Sequence, residues 1–175
     1  DVIYIREIRD KETATIAIQS ALTGHLVFST LHTNDAPGSV TRLIDLGVEP
    51  YLVSSSVIGV IAQRLVRLIC KHCKESYKPS AESLSDITLK LTDVKEGVLW
   101  RGKGCGSCMQ SGYLDRTAIY EMFPISDWVR EMIVNRAGST FIKQEAIKRG
   151  MRTLRMDGAR KVLMGQSTPE EVLRV

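Results

Sequence analysis

Two pairs of cysteines have the residue type and spacing to bind a metal ion. Each pair has CxxC spacing, 31 residues separate the pairs, and they contain every cysteine of the chain: Cys70, Cys73, Cys105 and Cys108. Two CxxC turns present four thiolates to one tetrahedral ion, and soft thiolate ligands favour Zn²⁺. Because four cysteines leave no position for a catalytic water, the pattern predicts a structural zinc site.

Two other kinds of cysteine chemistry compete with this interpretation. A single CxxC is also typical of redox motifs, but two pairs with no cysteine left over favour metal. Two disulfides would need an oxidising compartment. Neither a signal-peptide apolar stretch nor a run of about 20 apolar residues indicates one.

Two polar clusters have side chains that suit acid–base or phosphate chemistry. Glu7 lies between Arg6 and Arg9, and His32 follows Thr30 by two residues. Glu7 suits a general base or a water-orienting residue, and equally a surface carboxylate paired with a neighbouring arginine. His32 suits a phosphate contact, and equally a structural histidine. The residues alone leave both alternatives open.

The elements that must position these clusters alternate between strand and helix. We predict strands at 2–5 and 25–31, a helix at 11–22 capped by Asp10, and a second helix from Asn34 or Asp35 to about residue 46. This order predicts an α/β fold in which neighbouring parallel strands carry the polar clusters at their carboxyl ends. The apolar stretch 51–69 is predicted to be a further helix.

The rest of the chain divides into a polar segment and a helical tail. Between the cysteine pairs we predict a helix at 80–90, a turn at 93–97 and a strand at 98–100, with much of the folding energy supplied by the metal. In the tail we predict helices at 127–135, 140–148 and 153–164, with core side chains that include Ile133, Phe141 and Val162.

Composition argues against two classes of partner. The 24 basic and 20 acidic residues are interleaved, the net charge is +4, and only 6% of residues are aromatic. This balance favours solvated helix faces over a nucleic-acid interface. A hydrophobic content of 43% suffices for an ordinary core, and no run predicts a membrane span. Because a core strand begins next to Asp1, we expect a C-terminal portion of a longer protein.

Eight stretches of the chain together resemble one family. Residues 2–14, VIYIREIRDKETA, resemble a Walker B region, and residues 23–36, TGHLVFSTLHTNDA, resemble a histidine box. Residues 63–73, QRLVRLICKHC, and the later GCGSC, SGY and RTAIYE resemble the entry to and exit from a metal module. Together with GMRTLR and EEVL in the tail, they are similar to type II secretion and type IV pilus assembly ATPases. The tetracysteine module argues against the pilus retraction branch.

The resemblance implies a fold and a division of the chain. Residues 1–69 would be the C-terminal part of a RecA-like P-loop NTPase core. Residues 70–121 would be an inserted tetracysteine zinc module, and residues 122–175 a helical C-terminal region. The intact protein would be a cytoplasmic hexameric ATPase that powers type II secretion through pseudopilus assembly. It would bind ATP and Mg²⁺ and reach the inner membrane through platform and adaptor proteins.

The resemblance also assigns residues. Glu7 would be the catalytic glutamate that polarises the attacking water, and three residues would sense the nucleotide: His25, Thr30 and His32. Arg64 and Arg67 would face a neighbouring subunit.

Two departures from the family pattern, Arg6 and the lack of a phosphate loop, bear on activity. Arg6 stands where the family has glycine before the catalytic glutamate. Asp115 and Ala118 also stand where the family has glycine, and we expect them to alter the turn after Tyr113 but not the metal shell. The chain contains no GxxxxGK(S/T) phosphate loop, so we expect it to be inactive on its own. A type IV pilus assembly ATPase and a nucleotide-independent scaffold weakened by Arg6 are the alternatives.

Overall fold

Two short parallel strands bring the predicted polar clusters to one edge. The computed structural model describes residues 1–175, and in it β1 (Val2–Ile5) pairs in parallel with β2 (Leu26–Ser29). Val2 lies opposite Leu26 and Ile5 opposite Ser29, so the strands end side by side. The predicted parallel pairing is confirmed.

Two helices follow these strands, and each begins at an aspartate cap. In α1 (Lys11–Leu22), Asp10 Oδ1 accepts a hydrogen bond from the Thr13 amide at 2.8 Å. In α2 (Ala36–Asp45), Asp35 Oδ1 accepts one from the Gly38 amide at 2.8 Å. These bonds satisfy amides that have no partner in the first helical turn. Of the two predicted caps for α2, Asp35 is the one used.

The helix predicted over 51–69 is wrong. The stretch contains a short helix, α3 (Pro50–Ser56), and then a strand, β3 (Gly59–Ile69). The Ser55 and Ser56 hydroxyls both donate to carbonyls one turn earlier, at 2.6 Å, which weakens the helix at its end. Beyond it, β-branched residues are frequent and exposure alternates along most of the strand, as a half-buried strand requires.

The segment around the cysteines contains three more strands and a short helix. β4 (Lys74–Tyr77) is followed by α4 (Ala81–Ser85) and then by β5 (Leu99–Gly102), which pairs antiparallel with β4. β6 (Tyr113–Pro124) pairs with β3. The predicted helix at 80–90 is shorter than expected, since it ends at Ser85.

The tail is helical, as predicted. It contains α5 (Asp127–Val134), α6 (Ser139–Lys148), α7 (Leu154–Leu163) and α8 (Pro169–Arg174). Ile133 and Val162 are fully buried, but the predicted core residue Phe141 is 54% exposed. No helix has both the length and the apolar character that crossing a membrane requires.

The chain forms two compact units, each built from two separate stretches. Unit 1 contains residues 1–62 and 122–151, and unit 2 contains residues 63–121 and 152–175. The core of unit 1 combines residues of α1–α3 with Phe123, Val129, Ile133 and Ile142. The core of unit 2 combines Leu84, Ile87, Val94 and Leu99 with Ala159, Val162 and Val172. The polar segment between the cysteine pairs therefore shares a core with α7 and α8. The functional division at 69 and 121 stays a prediction.

Candidate functional site

The carboxyl ends of β1 and β2 are tied together by two hydrogen bonds. The Ile8 amide donates to the Thr30 carbonyl at 3.0 Å, and Thr30 Oγ1 donates to the Arg6 carbonyl at 2.7 Å. The backbone on either side of Glu7 is therefore fixed against the segment that leads to His32. Thr30 is placed as a support for this edge.

Glu7 lies at the centre of a small polar cluster. Its carboxylate contacts Arg9 Nη2 at 2.6 Å and His32 Nε2 at 2.8 Å. The Glu7 side chain is only 15% exposed, whereas that of His32 is 85% exposed. The hydrogen bond from Arg9 outweighs the opposing effect of burial and lowers the pKa of Glu7, and the charges of Arg9, His32 and Arg6 act in the same direction.

This geometry defines what the cluster can do. An ionised carboxylate only accepts hydrogen bonds, so His32 carries its proton on Nε2 in this contact. Glu7 can orient or deprotonate a water molecule at the strand edge, and the exposed His32 ring can contact a ligand there. The sequence predicted both residues, and the structure brings them together.

The loop that carries His32 is anchored on its other side as well. Thr33 Oγ1 lies 2.7 Å from Ser39 Oγ, and the cap residue Asp35 accepts a 2.7 Å bond from Lys143 Nζ in α6. Lys143 and Asp35 are 108 residues apart in the chain. Spacing within the sequence gives no sign of their contact.

His25 is not brought into this cluster. It precedes β2, and its Nδ1 lies 3.2 Å from both the Ser20 carbonyl and Thr23 Oγ1. A strand rises about 3.3 Å per residue, so the backbone of His25 is about 16 Å from that of Thr30. Its nucleotide-sensing role stays a prediction.

Arg64 and Arg67 lie on β3 in unit 2. Arg64 Nη1 donates to the Gln63 carbonyl at 3.2 Å. Arg67 binds the fully buried Glu171 carboxylate through its backbone amide, Nε and Nη2 at 2.7–3.0 Å, and its guanidinium lies 4.1 Å from the centre of the Tyr113 ring. The inter-subunit roles of both arginines stay predictions. The EEVL stretch of the family resemblance contains Glu171, but the sequence does not predict its contact with Arg67, which is 104 residues away.

The four cysteines converge as predicted. All four Sγ atoms lie within 4.8 Å of one another, and three pairs are separated by 3.7–3.9 Å. Four thiolates at the usual Zn–S distance of about 2.3 Å form a tetrahedron with edges of about 3.8 Å. All four cysteines are free rather than disulfide-bonded. Their arrangement therefore fits a tetrathiolate zinc site.

Two backbone amides donate hydrogen bonds to one sulfur atom of this cluster. The amides of Cys105 and Gly112 each donate to Cys108 Sγ at 3.3 Å. Burial raises the pKa of Cys73 to about 12. At Cys108 burial is outweighed by hydrogen bonds from those two amides, which lower the pKa to about 6. A bound divalent cation would favour the thiolate form of every ligand, so metal binding would release protons.

Comparison with known proteins identifies one family. The family model described as "Type II/IV secretion system protein" matches residues 1–174. The type II secretion system protein E of Pseudomonas aeruginosa is 50% identical over 175 residues, which is 100% of this chain and 34% of that protein. The type IV pilus assembly ATPase PilB of Thermus thermophilus is 49% identical over 173 residues, which is 99% of this chain and 20% of that protein. The chain thus spans about a third or less of these relatives.

A solved structure supports the fold. The X-ray structure of the Yersinia pseudotuberculosis ATPase DotB matches 99% of this chain and 36% of its own, with a TM-score of 0.64 and 19% identity. At that identity the likeness concerns the fold alone.

Proposed function

The chain belongs to the type II/IV secretion system protein family, and from this membership we propose that it carries the catalytic glutamate, the histidine box and the structural zinc module of a secretion ATPase. The observation that carries the proposal is the Glu7 carboxylate, 15% exposed, which Arg9 and His32 hold at the carboxyl edge of two parallel strands. Ligands of open α/β sheets bind at that edge.

Each residue of the edge then has a role in ATP hydrolysis. Glu7 orients and polarises the attacking water, while His32, supported by Thr30, contacts the phosphate region; His25 belongs to the same histidine box. Residues 1–69 form the C-terminal part of a RecA-like core that binds ATP and Mg²⁺ in the whole protein. Because the sequence has no GxxxxGK(S/T) loop, the 175 residues alone do not hydrolyse ATP.

The whole protein would act as a homo-hexamer in the cytoplasm. Arg64 and Arg67 would lie towards a neighbouring subunit, and platform and adaptor proteins would hold the ring at the inner membrane. Hydrolysis would drive pseudopilus assembly for type II secretion, in keeping with the 50% identity to the Pseudomonas protein. The zinc module, residues 70–121, would have a structural role.

A chimeric enzyme tests the catalytic assignment. In it, these 175 residues replace the matching segment of the P. aeruginosa type II secretion system protein E. We expect Glu7→Gln to lower its ATP hydrolysis rate at least about 100-fold, because the water loses its general base. The same change at the exposed Glu49 is the matched control and should leave the rate within about twofold. If the parent chimera is no faster than the Glu7→Gln variant, Glu7 is not catalytic.

Two alternatives make different predictions, the first in a complementation assay and the second in the hydrolysis assay of the chimera. A pilus assembly ATPase, favoured by the 49% identity to PilB, would restore pilus assembly rather than secretion in strains that lack the respective ATPase. A catalytically weakened, nucleotide-independent scaffold, favoured by Arg6 beside Glu7, would show no hydrolysis in the parent and a gain with Arg6→Gly.

A further inference from the structure

Two glycines cross at van der Waals distance beside the cysteine cluster. A Cβ placed on Gly102, the last residue of β5, would lie 2.0 Å from the Gly112 carbonyl oxygen. A Cβ placed on Gly112 would lie 2.4 Å from the Gly102 carbonyl oxygen. Real side chains never approach backbone atoms this closely, so only two glycines allow this crossing.

The crossing is hydrogen-bonded to both cysteine pairs. The Gly112 carbonyl accepts from the Cys70 amide at 2.9 Å, while the Gly112 amide donates to Cys108 Sγ at 3.3 Å. Next to Gly102, the Lys103 amide donates to the Cys73 carbonyl at 3.1 Å. One backbone contact therefore connects the first CxxC turn to the second.

We infer that the Gly102–Gly112 crossing is a positioning element of the metal centre, which sets the separation of the two cysteine pairs and thereby the zinc affinity. This inference rests on the proposed zinc module and is independent of the proposed ATP hydrolysis.

The distances at the crossing predict a large loss of zinc affinity when Gly102 is substituted. To accommodate a methyl group at Gly102, the two backbones must separate by about 1 Å, whereas metal–ligand distances tolerate about 0.2 Å. The Gly112 carbonyl then moves relative to Gly102, and the Cys70 amide and Cys108 Sγ lose their common anchor. Loss of a group that orients metal ligands typically weakens metal affinity about 10- to 100-fold.

The chain offers a matched control inside the site itself. Gly106 lies between Cys105 and Ser107, is exposed, and has no atom within 4 Å of its hypothetical Cβ. Neither Gly102 nor Gly106 has a positive φ, so alanine suits the backbone of both. We therefore expect a substitution of Gly102, outside the CxxC motif, to weaken zinc binding more than a substitution of Gly106 within it.

The test is a zinc competition with a chromophoric chelator on the 175-residue chain. We expect Gly102→Ala to weaken zinc binding about 10- to 100-fold, and Gly106→Ala to leave it within about twofold. Thermal unfolding in zinc and in EDTA accompanies the titration. A positioning role requires Gly102→Ala to lower the melting temperature more in zinc than in EDTA. Equal zinc affinity of parent and Gly102→Ala, or equal destabilisation in both buffers, would overturn the inference.

Hydrogen exchange on the parent protein tests the same point without relying on a variant that folds. If the crossing is coupled to the metal, EDTA should accelerate exchange of the Cys70, Lys103 and Gly112 amides at least about tenfold, while amides of α1 are unchanged. Unchanged protection of those three amides after zinc removal would also overturn the inference.

Discussion

The two glutamates that the structure singles out differ in how far the sequence reveals them. Glu7 is found from its neighbours, because Arg9 lies two residues away and His32 lies at the end of the adjacent predicted strand. The four cysteines are likewise visible from spacing alone. Glu171 is not, since it is fully buried and its partner Arg67 is 104 residues away. A buried carboxylate is stable only when cationic or hydrogen-bonding groups pair with it. Sequence patterns do not show which distant residues supply those groups.

Glu171→Gln should destabilise unit 2 in a pH-dependent way. Burial raises the pKa of Glu171, but hydrogen bonds from Arg174 and Arg67 outweigh it and lower the pKa from 4.5 to about 2. A carboxyl with a lowered folded-state pKa stabilises the fold above its unfolded pKa, and the contribution is lost as pH falls from about 4.5 towards 2. We expect a cost of about 2–3 kcal/mol at pH 7 that shrinks below pH 4.5, measured by urea unfolding.

The exposed neighbour Glu170 supplies the control for this measurement. Glu170→Gln should change the free energy of unfolding by less than about 0.5 kcal/mol at every pH. Comparing each variant with the parent at the same pH cancels the contribution of other acid-sensitive groups, including the cysteine ligands. A cost of Glu171→Gln that stays constant between pH 7 and 3 would contradict the assignment.

At the scale of elements, the sequence predicts best where caps and periodicity agree. Asp10 and Asp35 mark the starts of α1 and α2, and the tail helices lie within about two residues of their predicted limits. Prediction fails over 51–69 because the stretch is mostly apolar and its few polar residues fit a helix as well as a strand. The hydrophobic pattern of such a stretch does not distinguish a helix from a half-buried strand. The β-branched residues favour a strand, but only in the part that follows α3.

The cap of α2 gives a prediction at this scale. Asp35→Ala removes both the bond to the Gly38 amide and the partner of Lys143, so we expect a cost of about 1–2 kcal/mol in the free energy of unfolding. Asp45→Ala, at the exposed end of the same helix, should be neutral or slightly stabilising because an acidic residue is unfavourable there. Urea denaturation of both variants measures the difference, and equal costs would refute the proposed capping role.

At the scale of the whole molecule, packing rather than chain order determines which segments belong to each unit. The segment between the cysteine pairs contributes four buried apolar residues, too few for a core, and α7 and α8 supply the rest. Local composition predicts that this segment needs help to fold. It does not predict that residues 152–175 provide part of the apolar core that this segment lacks, because those contacts are long-range.

Zinc removal should therefore destabilise unit 2. Trp100 lies in unit 2 and Trp128 in unit 1, so Trp128→Phe and Trp100→Phe leave one fluorescent reporter for each unit. Because metal binding contributes folding energy directly, we expect EDTA to shift the denaturation midpoint reported by Trp100 to lower urea. The midpoint reported by Trp128 should change little. Identical shifts of the two reporters would contradict a stabilising effect confined to unit 2.

The split composition of unit 2 also has a consequence for the order of events during synthesis. Cys108 leaves the ribosome about 60 residues ahead of Glu171, which at about 5–20 residues per second amounts to several seconds. At the start of that interval all four cysteines have emerged, whereas Ala159, Val162 and Val172 have not. A zinc ion captured then would hold the nascent segment together until α7 and α8 arrive and complete its core.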